Sequence, residues 1–523
     1  MATVVARWGV EDPFAGAAED REITGPEALT GDEQLLLVDA ALARDHARQL
    51  RRLARRRDGL AVVVAGAPGP RRLGDLVLSR RDGAGGAAVE ARGGVAPAPR
   101  RGVLWVPPAV DPRRANPVGW RRWAAHPTVA VLSAPPDPAS LGPLLDPRLE
   151  VRLLLAGGLS RARLPAELHG LPRVGVAGPD DLVDRLRRFR VLIDDPRWHA
   201  SEVDEQQLAL RCWGVGTPVI STGDAAARLG LADGPLAAGE VVERARTLID
   251  DDPARERVSV AGRRRVHAHH TGARRLQAVL AALGRPVPAE PRVSVLLATN
   301  RPGSLAHAVG SVARQRHPDV ELVAILHGEG FDDPAGLERC LGRHPGPVRV
   351  VRAPAQRVLG EILNLGLEEA TGELVAKMDD DDHYGRDHLG DLVLARGYSG
   401  ATLVGKRVEH VHLTDRDVTV TREQANVERF GIHVSGPTLL TDRDTLRHYR
   451  FLEEPARVDS TLLERLRAGD EPVYGTHALD IVLERRGDGH TWQADVEAML
   501  AGAVAVTDGL DLRRTASEPG AFE

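Results

Sequence analysis

The sequence predicts an α/β protein built on mostly parallel sheets. Short apolar runs alternate with stretches of helical period along most of the chain. After Pro291 the order is strand, helix, strand, helix, strand, helix, strand. An acidic run follows the fourth of these strands, at the position where open α/β sheets bind ligands. These observations predict a ligand site in the C-terminal half.

Composition limits the classes of protein to which the chain can belong. With 523 residues, 42% of them hydrophobic and 27% charged, it is long enough for two or three globular domains. A net charge of −5 argues against a general nucleic-acid surface. The two cysteines, Cys212 and Cys340, exclude a disulfide framework. We see neither a signal peptide nor an apolar run of the roughly 18 residues that would cross a bilayer, and expect a cytoplasmic protein.

The N-terminal half contains two series of apolar strands, separated in places by helical patterns. We expect a short α/β domain over residues 1–118 and a Rossmann-like domain over 119–287, closed by a long helical segment at 253–284. A proline-rich linker follows. The expected strands are residues 35–38, 60–64, 103–106, 129–132, 151–155, 173–176, 191–193 and 218–220.

A third series begins at Arg292 and defines a domain over residues 288–505. Residues 506–523 are expected to form a flexible tail. Helices are expected at about 304–316 and 358–370, where apolar residues recur at helical spacing. The expected strands are residues 293–298, 320–326, 348–351 and 373–378.

Four adjacent aspartates, Asp379 to Asp382, follow the last of these strands. Alternate residues of an extended chain point the same way, so Asp379 and Asp381 could bind one hard cation. Mg²⁺ and Mn²⁺ prefer such oxygen ligands and usually share them with substrate phosphates. Neighbouring residues would then reach a sugar or ribose, and we assign Lys377 and Asp380 to that contact. A solvated acidic loop is the alternative.

Lysine and tyrosine are rare in this arginine-rich chain. Lysine occurs only at Lys377 and Lys406, and Tyr384 is one of four tyrosines. Both residue types have AT-rich codons, so a GC-rich genome explains their scarcity. Lys377 and Tyr384 flank the aspartates directly, which makes them candidates for a chemical requirement.

The C-terminal domain resembles the family 2 glycosyltransferases of the GT-A fold. The resemblance lies in four motifs that follow the family's order and spacing. They are Ser294–Pro302; Ser311-Val312-x-x-Gln315; Leu363-Asn364-x-Gly366 with Ala370-x-Gly372-Glu373; and Met378-Asp379-x-Asp381-Asp382.

This resemblance implies a set of site residues. Thr299, Asn300, Arg301 and Asn364 would surround the nucleotide of a nucleoside-diphosphate sugar. Asp379 and Asp381 would hold a divalent metal, Mn²⁺ or Mg²⁺, on its diphosphate. The third metal ligand is a histidine in several GT-A enzymes. His490 is our candidate, with a structural histidine as the alternative.

The family also needs a carboxylate base after the metal motif, and Asp459 fits that position. A sugar hydroxyl is a poor nucleophile, and a carboxylate within hydrogen-bond reach can accept its proton during attack. The alternative for Asp459 is a helix N-cap, and both roles can coexist.

One motif departs from the family pattern. The second strand normally ends in paired aspartates, one of which contacts the base of the nucleotide. Here His327 occupies that position and Glu329 lies close by. We assign His327 to the nucleotide site, but the departure leaves the identity of the base open.

The N-terminal half resembles, more loosely, GT-B glycosyltransferases of the spore-coat CgeB-like type. GT-B enzymes usually hold the donor ribose with a glutamate five residues before the glycine at 216. Here that position is Arg211, and Glu205 is out of register. We therefore expect an inactive relative. The motifs are residues 106–111, Gly216–Thr222 and His270-Thr271-x-x-Arg274.

The sequence therefore predicts a metal-dependent, inverting glycosyltransferase that moves a sugar from a nucleoside-diphosphate sugar to a hydroxyl acceptor. The acceptor could be a glycan, a lipid-linked molecule, a peptide or a small molecule. The N-terminal half would bind acceptor or assist assembly. A bifunctional enzyme with two active sites and a non-catalytic cation-binding scaffold are the alternatives. A homo-oligomer is left open.

Overall fold

The computed structural model describes most of the chain from residue 109 onward, and it divides the chain into two compact units. The N-terminal unit comprises 1–116, 125–250 and 262–289. The C-terminal unit comprises 117–124, 251–261 and 290–523. Before residue 109 only the strands are described. From there on the described ranges are 109–121, 124–176, 179–282, 286–422, 427–486 and 496–522.

The first sheet of the N-terminal unit has seven parallel strands in the order β2-β1-β3-β4-β5-β7-β6. The expected strands at 35–38, 60–64 and 103–106 correspond to β3, β4 and β7. The strands are β1 (Val4–Trp8), β2 (Glu19–Glu22), β3 (Leu35–Asp39), β4 (Ala61–Ala65), β5 (Leu76–Ser79), β6 (Ala87–Ala88) and β7 (Val103–Trp105).

The second sheet of this unit is separate, parallel and five-stranded, in the order β10-β9-β8-β11-β12. Its first strand lies in the middle, as in doubly wound sheets. All five expected strands are present. They are β8 (His126–Leu132), β9 (Val151–Leu155), β10 (Arg173–Val176), β11 (Phe189–Asp194) and β12 (Val219–Ser221).

Helices connect these strands and continue to the end of the N-terminal half. The helix Glu202–Val215 is capped by Ser201, whose hydroxyl accepts a hydrogen bond from the Asp204 N–H at 3.2 Å. The helical segment expected at 253–284 consists of two helices. The helices are Gly142–Leu145, Pro179–Leu186, Glu202–Val215, Ala225–Arg228, Ala238–Asp250, Asp252–His269 and Gly272–Ala282.

The C-terminal unit is built on an eight-stranded mixed sheet in the order β15-β14-β13-β16-β22-β18-β23-β21. Strands β15, β14, β13 and β16 are parallel, whereas β22 is antiparallel to β16 and β18. The strands are β13 (Val293–Thr299), β14 (Val320–His327), β15 (Val348–Ala353), β16 (Leu374–Lys377), β18 (Leu403–Lys406), β21 (Arg429–Phe430), β22 (Leu440–Asp442) and β23 (Val473–Thr476).

A second sheet of this unit has the order β17-β24-β19-β20-β25 and was not predicted. Its strands are short and come from distant parts of the chain, so no local period indicates them. They are β17 (His383–Tyr384), β19 (His410–Leu413), β20 (Val418–Arg422), β24 (Ile481–Arg485) and β25 (Ala503–Asp508).

The helices of the C-terminal unit cover both faces of the larger sheet. Its apolar side chains form two extensive buried clusters. Pro334 begins its helix at the first position, where the missing N–H costs nothing. The helices are Leu305–Ala313, Pro334–Leu341, Leu359–Glu369, His388–Ser399, Arg443–Tyr449, Val458–Ala468, Val496–Ala501 and Leu512–Thr515.

Close packing explains why the motif Leu363-Asn364-x-Gly366 has a glycine at residue 366. A Cβ at this position would lie 2.9 Å from Ile325 Cγ1 and 3.4 Å from a methyl carbon of Leu296. The helix Leu359–Glu369 can therefore lie close against β13 and β14 only because residue 366 has no side chain. The motif thus sets the position of the helix that carries Asn364.

The segment expected to be a flexible tail instead contributes structure. Strand β25 pairs with β20 as far as Asp508. Beyond it, the Ser517 hydroxyl donates to Asp480 Oδ2 at 2.5 Å, and the Ala521 carbonyl accepts from the Arg386 N–H at 2.6 Å. These contacts depend on partners far away in sequence, which is why composition alone suggested disorder.

Candidate active site

Strands β13 and β16 bring their carboxyl ends to the same edge of the larger sheet. They are parallel neighbours, with Leu296 opposite Lys377. Thr299 is the last residue of β13, and Lys377 is the last residue of β16. The residues predicted from two separate motifs therefore meet at one edge of the sheet.

Arg301 and Thr299 bind the middle of the acidic run. The Thr299 hydroxyl donates to Asp380 Oδ2 at 2.5 Å. The Arg301 guanidinium donates to both oxygens of Asp380 and to Asp381 Oδ2, the latter at 2.8 Å. Asp380 and Asp381 are 4% and 7% exposed, so these ionic hydrogen bonds lie in a largely water-excluded place.

Lys377 binds the first aspartate of the run and the predicted base. Its ammonium donates to Asp379 Oδ1 at 2.7 Å and to Asp459 Oδ2 at 3.1 Å. The Lys377 side chain is 7% exposed, whereas that of Asp379 is 39% exposed. One buried ammonium therefore joins the predicted metal ligand to the predicted base.

Asp382 turns inward. Its Oδ1 accepts the backbone N–H of Glu484 at 3.0 Å, and its backbone carbonyl lies 2.9 Å from His307 Nε2. The Tyr384 hydroxyl accepts the N–H of Asp379 at 2.8 Å and donates to the Pro437 carbonyl at 3.2 Å. These bonds fix the backbone of the acidic run from its far side.

The run does not continue as an extended strand, so the expected alternation of side chains does not hold. A bend covers residues 380–382. Asp379 faces Lys377, Asp380 and Asp381 face Arg301, and Asp382 faces the second sheet. Four carboxylates repel one another at close range, and donors from three separate places in the chain, Lys377, Arg301 and the Glu484 N–H, stabilise them.

The site holds an excess of buried negative charge. Burial raises the pKa of Asp381, and the charges of Asp379 and Asp380 raise it further despite Arg301. Burial also raises the pKa of Asp382 well above its usual value, with Asp379 and Asp381 adding to the effect. A divalent cation beside these carboxylates would relieve this repulsion.

Asp459 lies in the first turn of the helix Val458–Ala468, where the helix dipole favours a carboxylate. The N-cap position itself belongs to Arg457. Within the described part of the chain, Asp459 Oδ1 is buried and has no hydrogen-bond partner. Burial raises the pKa of Asp459, although Lys377 acts against this. No capping bond accounts for this side chain.

The loop around Gly436 passes directly over the Asp459 carboxylate. A Cβ at residue 436 would overlap Asp459 Oδ2 and lie 2.5 Å from its Cγ. Only glycine leaves room for the carboxylate at this place. Nothing in the sequence around Gly436 indicated this role, because the contact joins a loop to a helix more than twenty residues later.

The predicted metal ligands fit a cation in part. Asp379 and Asp381 supply hard oxygen donors at the same edge of the sheet. Among the described residues, however, no three histidine, cysteine or acidic side chains are grouped closely enough to hold a metal ion. The predicted third ligand, His490, lies within 487–495, outside the described residues. In this structure Asp379 bonds Lys377, and Asp381 bonds Arg301.

The other predicted nucleotide residues lie in different environments. Asn300 is exposed, directly after β13. His327 ends β14, and its Nε2 is buried without a hydrogen-bond partner in the described structure. Asn364 is 4% exposed, and its amide bonds the Phe451 carbonyl at 2.9 Å and the Phe451 N–H at 3.0 Å. In this structure Asn364 therefore joins its helix to a neighbouring loop.

A separate polar cluster lies at the carboxyl edge of the second N-terminal sheet. His199 Nε2 is 2.6 Å from Asp194 Oδ1, and Asp194 ends β11. Glu205 is 4% exposed, and its Oε1 has no hydrogen-bond partner among the described residues. Burial, together with the charge of Asp194, raises the pKa of Glu205 to about 7.

Comparison with known proteins supports the assignment of the C-terminal half. Residues 295–445 match the family described as glycosyl transferase family 2. This part of the C-terminal half is therefore similar to family 2 glycosyltransferases, as its motifs predicted. No curated protein matches the sequence. The helices in the described part of the chain are too short or too polar to span a membrane.

The chain is also similar to solved structures. One is the mannosyltransferase PcManGT from Pyrobaculum calidifontis, in complex with GDP-Man and Mn²⁺. It is 19% identical, with 38% of this chain and 57% of that chain covered and a TM-score of 0.30. Another is S. aureus TarS 1–349 in complex with UDP-GlcNAc. It is 17% identical, with 39% of this chain and 62% of that chain covered and a TM-score of 0.32.

Proposed function

We propose that the chain is a metal-dependent, inverting glycosyltransferase that moves a sugar from a nucleoside-diphosphate sugar to a hydroxyl acceptor. One observation carries the proposal. The predicted base Asp459 and the predicted metal ligand Asp379 lie at one edge of the larger sheet, bonded to the same ammonium. A carboxylate base beside a diphosphate-binding edge is the arrangement that glycosyl transfer to a hydroxyl needs.

Asp379 and Asp381 would hold Mn²⁺ or Mg²⁺, with His490 as the proposed third protein ligand. When bound, the cation would neutralise charge on the departing diphosphate. The excess of buried carboxylate charge at Asp381 and Asp382 supports this role. Arg301, bonded to Asp380 and Asp381, holds these carboxylates in place from the side of β13.

Thr299, Asn300, Arg301, His327 and Asn364 are the proposed nucleotide residues. Asn300 is exposed and available to a ligand, whereas Thr299 and Asn364 position their neighbours through the bonds described above. Lys377 and Asp380 were predicted to reach the sugar or ribose, and both remain candidates beside the diphosphate. The nucleotide base is open because His327 replaces the family's aspartate.

Asp459 is the proposed base. Its Oδ2 is held by Lys377, and its Oδ1 has no hydrogen-bond partner in the described structure. The Asp459 side chain is 24% exposed, and its carboxylate can therefore accept the proton of an acceptor hydroxyl as it attacks the anomeric carbon from the face opposite the diphosphate. One base and one displacement give inversion of configuration.

We assign the N-terminal half to acceptor binding or assembly. Arg211 in place of a ribose-binding glutamate supports an inactive GT-B-like relative over a second active site. The meeting of two motifs with Asp459 at one sheet edge supports an enzyme over a cation-binding scaffold. Cytoplasmic location and a homo-oligomeric state remain predictions.

The proposal is tested with a panel of UDP-, GDP- and dTDP-sugars, measuring release of nucleoside diphosphate with Mn²⁺, with Mg²⁺ and with EDTA. We expect turnover of at least one donor in the presence of metal and none with EDTA. Crystals soaked with Mn²⁺ and nucleoside diphosphates would locate the ligands. Full turnover in EDTA would contradict metal dependence. A chain that neither binds nor hydrolyses any donor would contradict the proposed enzyme.

A further inference from the structure

Lys377 lies where it can fix the position of the carboxylate of Asp459, the proposed catalytic base. Lys377 lines a small apolar cavity together with Leu439, Phe451 and Leu462. Its ammonium lies between Asp379 and Asp459 and donates to both. Buried lysine is costly unless its charge is paired, and here two carboxylates pair with it.

Asp459 depends on Lys377 for its orientation. The Lys377 ammonium is the only hydrogen-bond donor to its carboxylate within the described residues. On the other side, the backbone at Gly436 limits where Oδ2 can lie. The carboxylate is thus held at Oδ2 by one donor and one steric wall.

We infer that Lys377 is a positioning residue that fixes the Asp459 carboxylate at a set place beside Asp379, and so beside the donor diphosphate. This inference rests on the proposed function, and it gives Lys377 a role other than direct contact with the sugar nucleotide. The ammonium spans the two carboxylates, so it sets the separation between base and metal ligand.

Lys377→Met tests the inference, because methionine keeps an unbranched apolar stem and removes the ammonium. We expect kcat to fall by about 10²-fold, within the range of a general base, and the donor Kd to stay within about threefold. If Lys377 instead binds the diphosphate, the donor Kd should rise at least about tenfold. That result would overturn the inference.

A double-mutant cycle with Asp459→Asn shows whether Lys377 acts through the base. Residues that act as a unit have non-additive effects. We therefore expect Lys377→Met to lower kcat by less than about threefold in the Asp459→Asn background. Fully additive losses would mean that Lys377 acts elsewhere, for example through Asp379 alone, and would overturn the inference.

Gly436→Ala tests the same geometry without removing a charge, and it serves if Lys377→Met does not fold. The added methyl should displace the Asp459 carboxylate and lower kcat with donor binding retained. Gly390→Ala is the matched control, because a Cβ at residue 390 meets no atom within 4 Å. Wild-type kcat for a folded Gly436→Ala variant would overturn the inference.

Crystal structures of the wild type and of Lys377→Met separate this inference from the proposed function. We expect the Asp459 side chain to leave its place beside Gly436 in the variant. An unchanged Asp459 position would overturn the positioning role even if the enzyme is active. A wild type without turnover would refute the proposed function, and the crystallographic comparison would still decide whether Lys377 positions Asp459.

Discussion

Asp459 is the single side chain on which the proposed chemistry depends most directly. Replacing it by asparagine keeps the shape but removes the proton acceptor. We expect Asp459→Asn to lower kcat by about 10²–10⁴-fold and to leave donor affinity nearly unchanged, measured by turnover and calorimetry on the same preparation. If the variant unfolds and donor binding disappears with it, Asp459 stabilises the helix Val458–Ala468 and does not act as the catalytic base.

A second substitution of a single residue, Asp381→Ala, tests the proposed metal binding. We expect Asp381→Ala to reduce turnover to below about 1% of wild type while the melting temperature changes little, because Asp380 still pairs with Arg301. Asp415→Ala, at an exposed turn, is the matched control. Full activity of a folded Asp381→Ala variant in the presence of a chelator would be incompatible with the proposed metal site.

Glu205 gives a prediction about pH. Its carboxyl loses a proton near pH 7 in the folded state, against 4.5 for an ordinary glutamate. Between these values the unfolded chain binds fewer protons than the folded chain, so stability falls as pH rises. Glutamine does not ionise. Glu205→Gln should therefore stabilise the N-terminal unit by up to about 3 kcal/mol at pH 8 and by little at pH 4.5.

Thermal unfolding at the two pH values measures this difference. Glu167→Gln is the control, because Glu167 is exposed in the same unit. Equal effects of Glu205→Gln at both pH values would show that burial does not shift the ionisation of Glu205 as described.

At the scale of elements, the helix Leu359–Glu369 connects the site to the core. Asn364 joins this helix to the backbone of Phe451 through two buried hydrogen bonds. Asn364→Ala would leave a buried carbonyl and a buried N–H without partners. We expect a loss of about 2–4 kcal/mol in the free energy of unfolding, measured by denaturant titration.

Asn300→Ala is the matched substitution, because Asn300 is exposed and makes no hydrogen bond in the described structure. It should leave stability unchanged and weaken donor binding instead. The reverse pattern, with stable Asn364→Ala and unstable Asn300→Ala, would mean that the two asparagines have been assigned in the wrong order.

At the scale of the whole molecule, the question is how many donor sites the chain has. All proposed donor residues belong to the C-terminal unit, and Arg211 argues against a second site. Calorimetry on the full chain should therefore give one nucleotide sugar bound per chain, with an affinity that is weakened by Asn300→Ala and unaffected by Glu205→Gln. A stoichiometry of two, reduced to one by Asn300→Ala, would favour the bifunctional enzyme.

From the sequence alone, the order of strands and helices from Val293 to Lys377 could be predicted. The sequence also indicated which polar residues follow each strand. These patterns are local: apolar runs of strand length, helical period, and polar residues at strand ends. Neighbouring parallel strands place their carboxyl ends at the same edge of a sheet. The sequence therefore predicted that Thr299 and the aspartates lie at one edge.

Only the tertiary structure decided which side chains bond one another at that edge. Lys377 was singled out by its rarity, but its bond to Asp459 depends on a helix that begins about eighty residues later. Gly436 and the second sheet were missed for the same reason. Such contacts join residues distant in sequence, and their geometry follows from how the core packs, which no local pattern records.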